Sequence, residues 1–172
     1  MELIDIFLSS VSEDLINVDT VEEIFWLVCN LVSSGDIYVM AKIIKSNLFR
    51  KLLYYTQSPI KKIHKEAINA LVILCTFSNL EIASVLANEG VLEILINIAW
   101  INTCPVILLM TLDAMYSMIN QGKIFKELGN ENYFLRKFDE SNGLPTINKL
   151  AEHPNNEIRN MVKKIKSEFF VL

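Results

Sequence analysis

Glycine and proline are scarce, five and four in 172 residues. A strand-rich fold needs frequent turn clusters, and so few of these residues leave too few turns to build one. Histidine is scarcer still. With only His64 and His153, no zinc cluster can be assembled from the usual ligands. The three cysteines, Cys29, Cys75 and Cys104, lack C-x-x-C spacing and sit inside apolar stretches. They read as buried free thiols of a reducing compartment. The start, Met-Glu-Leu-Ile-Asp, has no basic n-region. The most apolar run, Val91 to Ile119, is interrupted by Glu93, Asn97, Asn102, Pro105 and Asp113. It reads as a buried helix pair, and no membrane partner is expected. G-x-S-x-G, a Walker loop, a dinucleotide fingerprint and H-E-x-x-H are all missing. His64 on a helix and His153 in a helix–helix turn read as ordinary structural residues, and Glu22 and Glu23 read as a solvated or peptide-attracting pair, not as a general acid. No catalytic residue, metal or cofactor is expected, and the chain does not read as an enzyme.

What is present is apolar and helical. Apolar residues make up 52% of a chain long enough to bury the core of one domain. The net charge of −4 is unevenly spread. Residues 1–60 carry eight acids against four bases, residues 61–121 five against three, and residues 122–172 seven against nine. An acidic front disfavours nucleic acid and suits basic peptides. The basic helix near the end (Arg159, Lys163, Lys164, Lys166) is too small a cluster for a polyanion site.

The chain is organised around Val21 to Leu31, closed by Ser33-Ser34-Gly35. Helical spacing puts Trp26 and Asn30 on one face, with Glu22 and Glu23 a turn before them. Ile24, Leu27, Val28 and Leu31 are expected on the core side. An outward indole offers a wall to an aliphatic or cationic stem, a carboxamide can donate to and accept from a peptide backbone, and carboxylates attract bases. Glu2 to Ser10 reads as the tail of an earlier helix, and Asp14 and Asp19 as caps. Helices are expected over residues 37–45, 48–55 and 60–77, the last opened by Pro59 and burying Ile63, Ala67, Ile68, Ala70, Leu71, Leu74 and Cys75. The pattern then recurs over residues 80–88, 91–101 and 106–120. A loop-like insertion, Gln121 to Glu131, precedes helices ending at Ser141, over 144–152 and over 157–170. Met110, Met115 and Met118 are expected in the core, as is Trp100.

The unit is two short helices separated by a glycine or asparagine break, then a turn and a long helix. Matching long-helix positions fall at Trp26, Asn69 and Asp113, about 43 apart, whereas Gly90 and Gly143 are 53 apart because of the insertion. Such a period predicts an all-α, armadillo-type right-handed α-solenoid of about three to four three-helix repeats. The expected layout is one domain: a partial repeat 1–34, then repeats 36–77, 79–121 and 130–171. Solenoid ends need polar caps, so self-association through the N-terminal end is expected.

Several segments resemble one family. Lys65-Glu66-Ala67-Ile68-Asn69-Ala70-Leu71 is similar to the opening of an armadillo third helix. Trp26-Leu27-Val28-Cys29-Asn30 is similar to its W-x-x-x-N, and Glu89-Gly90-Val91-Leu92 to the link between first and second helices. Leu112-Asp113-Ala114-Met115, Gly143 to Leu150, His153 to Ile158 and Lys163 to Phe170 together resemble the closing repeats of importin α (karyopherin α). The resemblance implies an adapter in nucleocytoplasmic transport, found in cytoplasm and nucleus. Third helices would line a groove for basic nuclear-localisation peptides, and an export receptor or nucleoporin would be a further partner. On that basis the candidate peptide-binding residues are Trp26, Asn30, Glu22, Glu23, Asp19, Glu66, Asn69 and Asp113. The next repeats depart from the pattern, with Asn69 and Ile73, then Asp113 and Ser117, at the Trp and Asn positions. One clamp is left of a ladder, so peptide binding is expected to be weak. The family's arginine-rich N-terminal segment and first half-array are not matched, so the chain reads as a fragment of an adapter or a reduced relative. The alternative is a scaffold subunit of a non-transport complex, since solenoids host many functions.

Overall fold

The computed structural model describes residues 5–7 and 17–170. Among them are eleven helices and no strand, and the chain divides after Ser78 into two compact units. The first unit contains α1 (Val18–Ser33), α2 (Ile37–Lys45), α3 (Asn47–Tyr55) and α4 (Lys61–Thr76), and residues 5–7 are also helical. The second contains α5 (Leu80–Asn88), α6 (Val91–Ile101), α7 (Pro105–Gln121), α8 (Lys123–Glu127), α9 (Tyr133–Glu140), α10 (Gly143–Leu150) and α11 (Asn156–Phe169). The expected helix Glu2 to Ser10 and the expected cap Asp14 fall, residues 5–7 apart, outside the described residues.

Asparagine starts most of the capped helices. The first amides of a helix lack intrahelical partners, and a short side-chain oxygen satisfies them. Asn17 accepts from the Asp19 amide at 2.9 Å, Asn79 from Ile82 at 2.9 Å and Asn155 from Glu157 at 2.8 Å. Asp36 serves α2 in the same way, accepting from Tyr38 at 2.9 Å. Asp19, expected as a cap, is instead the second residue of α1, because Asn17 reaches its amide first. Pro105 takes the first position of α7. Pro59 lies just outside α4, ahead of the cap residue Ile60.

The two glycine breaks differ in cause. Gly90 has φ +76° with open space around it, a left-handed conformation that favours glycine. At the second break Asn142 is left-handed, with φ 63°. Gly143 is needed there for space, since a Cβ would run into the Phe138 ring.

The insertion is more ordered than a loop. α7 runs through Gln121, and α8 forms within the segment expected to be irregular. Asn132, only 7% exposed, ties it down. Its amide donates to the Ile119 carbonyl at 3.0 Å, and its Oδ1 accepts from the Phe134 and Leu135 amides at 3.1 Å each. Gly122 leaves room for that side chain, which a Cβ would overlap. Asn132→Ala removes a cap and strands a buried carbonyl, so a loss of about 2–3 kcal/mol is expected. Urea unfolding of the whole chain measures it, and a loss below about 0.5 kcal/mol, ordinary for a surface site, would contradict this role.

In the first unit α1 packs on α4. α1 buries Val21, Phe25, Val28, Cys29 and Val32, and α4 buries every residue expected of it. On α1 the setting is different from the expected one. Leu27 is 38% exposed, and Ile24 and Leu31 are only partly covered. The buried row is spaced four, three, four, as a helical stripe requires. It also places the larger Phe25 ring inside, edge-on to Tyr55 with centroids 5.7 Å apart.

In the second unit Met115 and Met118 are fully buried, whereas Met110 is partly exposed. Trp100, expected in the core, is 47% exposed. α6 is apolar nearly all round, and its buried set of Val91, Leu92, Leu95, Ile96, Ile98 and Ala99 turns Trp100 outward. Cys104 is also exposed, because it lies in the turn before Pro105 and not within a helix. Cys29 and Cys75 are buried free thiols. Burial, and secondarily the Glu66 charge, pushes the Cys29 thiol up to about 12, and burial also raises Cys75. Among the described residues no single helix is long and apolar enough to cross a membrane.

Candidate functional site

α1 and α4 run in the same direction along the first unit. Lys62, near the start of α4, bridges to Glu22, near the start of α1, at 3.3 Å. One turn further on, Glu66 is close enough to Cys29 to act on its thiol. The face that results carries most of the expected site residues. Trp26 is 61% exposed, and among the described residues no ring or ammonium stacks on its indole. Asn30 is exposed one turn later, with its carboxamide making no hydrogen bond to the described residues. Glu23 and Asp19 are exposed, Asp19 at the N-terminal end of the helix.

The α4 side is more committed to internal contacts. The Glu66 side chain is 15% exposed and lies 3.5 Å from Lys65. It also accepts from the Asn69 carboxamide at 3.4 Å. The acids expected to attract bases therefore already have cations beside them at Glu22 and Glu66. Lys62 was not singled out in the sequence, although it lies 40 residues after Glu22, close to one repeat away.

Asp113 belongs to the second unit. It is exposed on α7, in a shallow cleft of about 470 Å³ shared with Leu109 of α7 and Glu157, Asn160, Met161 and Lys164 of α11. The aromatic beside that cleft is already occupied, because Lys164 Nζ sits 3.8 Å from the Tyr116 ring centroid. The Tyr116 hydroxyl donates to Glu168 at 3.0 Å, and Lys123 donates to the same carboxylate at 2.6 Å. The Lys123 hydrogen bond first, then that of Tyr116 and the Lys164 charge, hold the Glu168 carboxyl below its ordinary range against the cost of burial. Trp100 is covered likewise, with Lys149 Nζ 4.2 Å from its ring centroid and donating to its carbonyl oxygen. Of the two tryptophans, Trp26 alone presents an indole face with no ammonium from the described residues on it. Among the described residues, no group of three or more His, Cys, Asp or Glu could hold a metal ion.

No family model matches the sequence, and no curated protein matches it. Solved structures do match. One is an engineered protein, with a TM-score of 0.72 and 14% identity over 94% of this chain and 60% of its own. Another is a designed armadillo repeat protein, with a TM-score of 0.70 and 17% identity over 91% of this chain and 60% of its own. A further designed armadillo repeat protein, in complex with the peptide (KR)4, has a TM-score of 0.58 and 18% identity over 94% of this chain and 80% of its own. The chain thus spans about 60% of the length of the first two. The likeness shows the fold, an all-α, armadillo-type solenoid.

Proposed function

We propose that the chain is a protein-binding armadillo module and that the α1–α4 face of its first unit docks short, lysine-rich peptide segments. The observation that carries this is Trp26: a large indole, 61% exposed, flanked one turn away by Glu22 and by Asn30. A lysine stem laid on the indole would gain the cation–π attraction, and Asn30 would hold the peptide backbone. The designed armadillo protein in complex with (KR)4 supports a basic ligand on this fold. Resemblance to the closing repeats of importin α supports a finer reading. In it the peptides are nuclear-localisation segments of cargo proteins, an export receptor or nucleoporin is the larger partner, and the protein works in cytoplasm and nucleus.

The test is a titration of the whole chain with a lysine-rich peptide, followed through the two indole N–H resonances. The Trp26 resonance should shift and saturate while that of Trp100, under Lys149, stays put. No movement of the Trp26 resonance at millimolar peptide removes the docking face. Affinity capture then separates the biological settings. Transport-receptor or nuclear-pore partners support the finer reading, and an unrelated assembly supports a scaffold role.

A further inference from the structure

Glu22 is not a vacant carboxylate. Lys62 Nζ lies 3.3 Å from its Oε2, with the lysine side chain 66% and the glutamate 34% exposed. Glu22 precedes Trp26 by one helical turn, so its carboxylate stands where the ammonium of a lysine lying along the indole would end. The chain's own cation is therefore at the place a ligand's cation needs.

The reason lies in α4. This helix begins with Lys61 and Lys62, has no acidic residue in its first turn and receives no side-chain cap from Ile60. Cations at a helix N-terminus face the positive end of the macrodipole and its unpartnered amides. Glu22, reaching across from the parallel α1, supplies the negative charge that α4 lacks. A peptide ammonium that takes Glu22 leaves Lys62 uncompensated at that end. The bridge is exposed on both sides, so it contributes little to the fold, yet it stands directly in the way of a rival cation.

We infer that Lys62 is an intramolecular competitor for the basic-peptide face: its ammonium occupies Glu22, and a peptide lysine binds by exchange with it. The inference rests on the docking role proposed above and identifies the residue that sets its threshold. Lysine-rich peptides must displace Lys62, so several cations on one peptide outcompete it where a single one does not.

Calorimetric titration of a lysine-rich peptide into wild type, Lys62→Ala, Glu22→Ala, the double variant and Trp26→Ala tests this. Lys62→Ala should bind about two- to fivefold tighter, the range that an exposed ion pair supplies. In the Glu22→Ala background the same substitution should give no gain. Unchanged or weaker binding by Lys62→Ala, with binding by wild type that weakens in Trp26→Ala, overturns the competitor and leaves the docking face standing. An undiminished gain without Glu22 overturns it too, because the lysine would then act only through the general field. Absence of binding by both wild type and Lys62→Ala overturns the docking face itself, and the competitor with it.

Discussion

Trp26→Ala should lower affinity for a lysine-rich peptide about tenfold, within the range set by a cation over an indole, about 0.5–2 kcal/mol. The fold should hardly notice. The indole is 61% exposed and stacks on no described residue, so its removal opens no cavity and a change within about 0.5 kcal/mol is expected. Asn30→Ala should cost about two- to tenfold through lost hydrogen bonds to the peptide backbone. Calorimetric titration reads the affinities and circular dichroism melting reads the fold. Trp100→Ala serves as a matched control, because its ring is covered by Lys149. Wild-type affinity in Trp26→Ala would take the docking face away from α1.

One residue earlier, the opposite outcome is expected. Phe25 is fully buried and edge-on to Tyr55. Phe25→Ala removes that ring contact and leaves a hole that the α1–α4 packing cannot close, at a cost of about 3–5 kcal/mol. Against a typical total of about 5–15 kcal/mol, much of the stability goes. The urea midpoint should fall steeply, and a fall no larger than that of Trp26→Ala would mean that α1 is not seated on its Phe25 row. Adjacent residues thus separate folding from binding: one substitution takes much of the stability and the other leaves the fold intact.

Helix placement was largely readable from the sequence. α5 and α6 occupy the expected residues, and the apolar row of α4 is buried throughout. Caps and breaks mark helix ends by local chemistry, so a single chain displays them. The rotation of α1 was not readable, because two overlapping apolar rows both fit a helical stripe and only the ring contact with Tyr55 separates them. Nor was the exposure of Trp100, since α6 is apolar on nearly every side. Gly143 looked like Gly90, although one supplies space and the other a left-handed backbone. At the candidate site, Trp26, Asn30 and Glu23 are exposed, as the spacing implied. The Lys62–Glu22 and Lys164–Tyr116 pairings were not readable, because each joins residues of different helices.

Four polar contacts between helices share a spacing along the chain. Glu22 meets Lys62 across 40 residues, Asn88 meets Tyr133 and Lys123 meets Glu168 across 45, and Trp100 meets Lys149 across 49. Each spacing is close to one helical repeat, longer where the insertion falls. For these four pairs, compensating substitutions are therefore to be sought a repeat away: reversing the sign at position 22 is answered at position 62. A designer who optimises one helix in isolation will unbalance its neighbour.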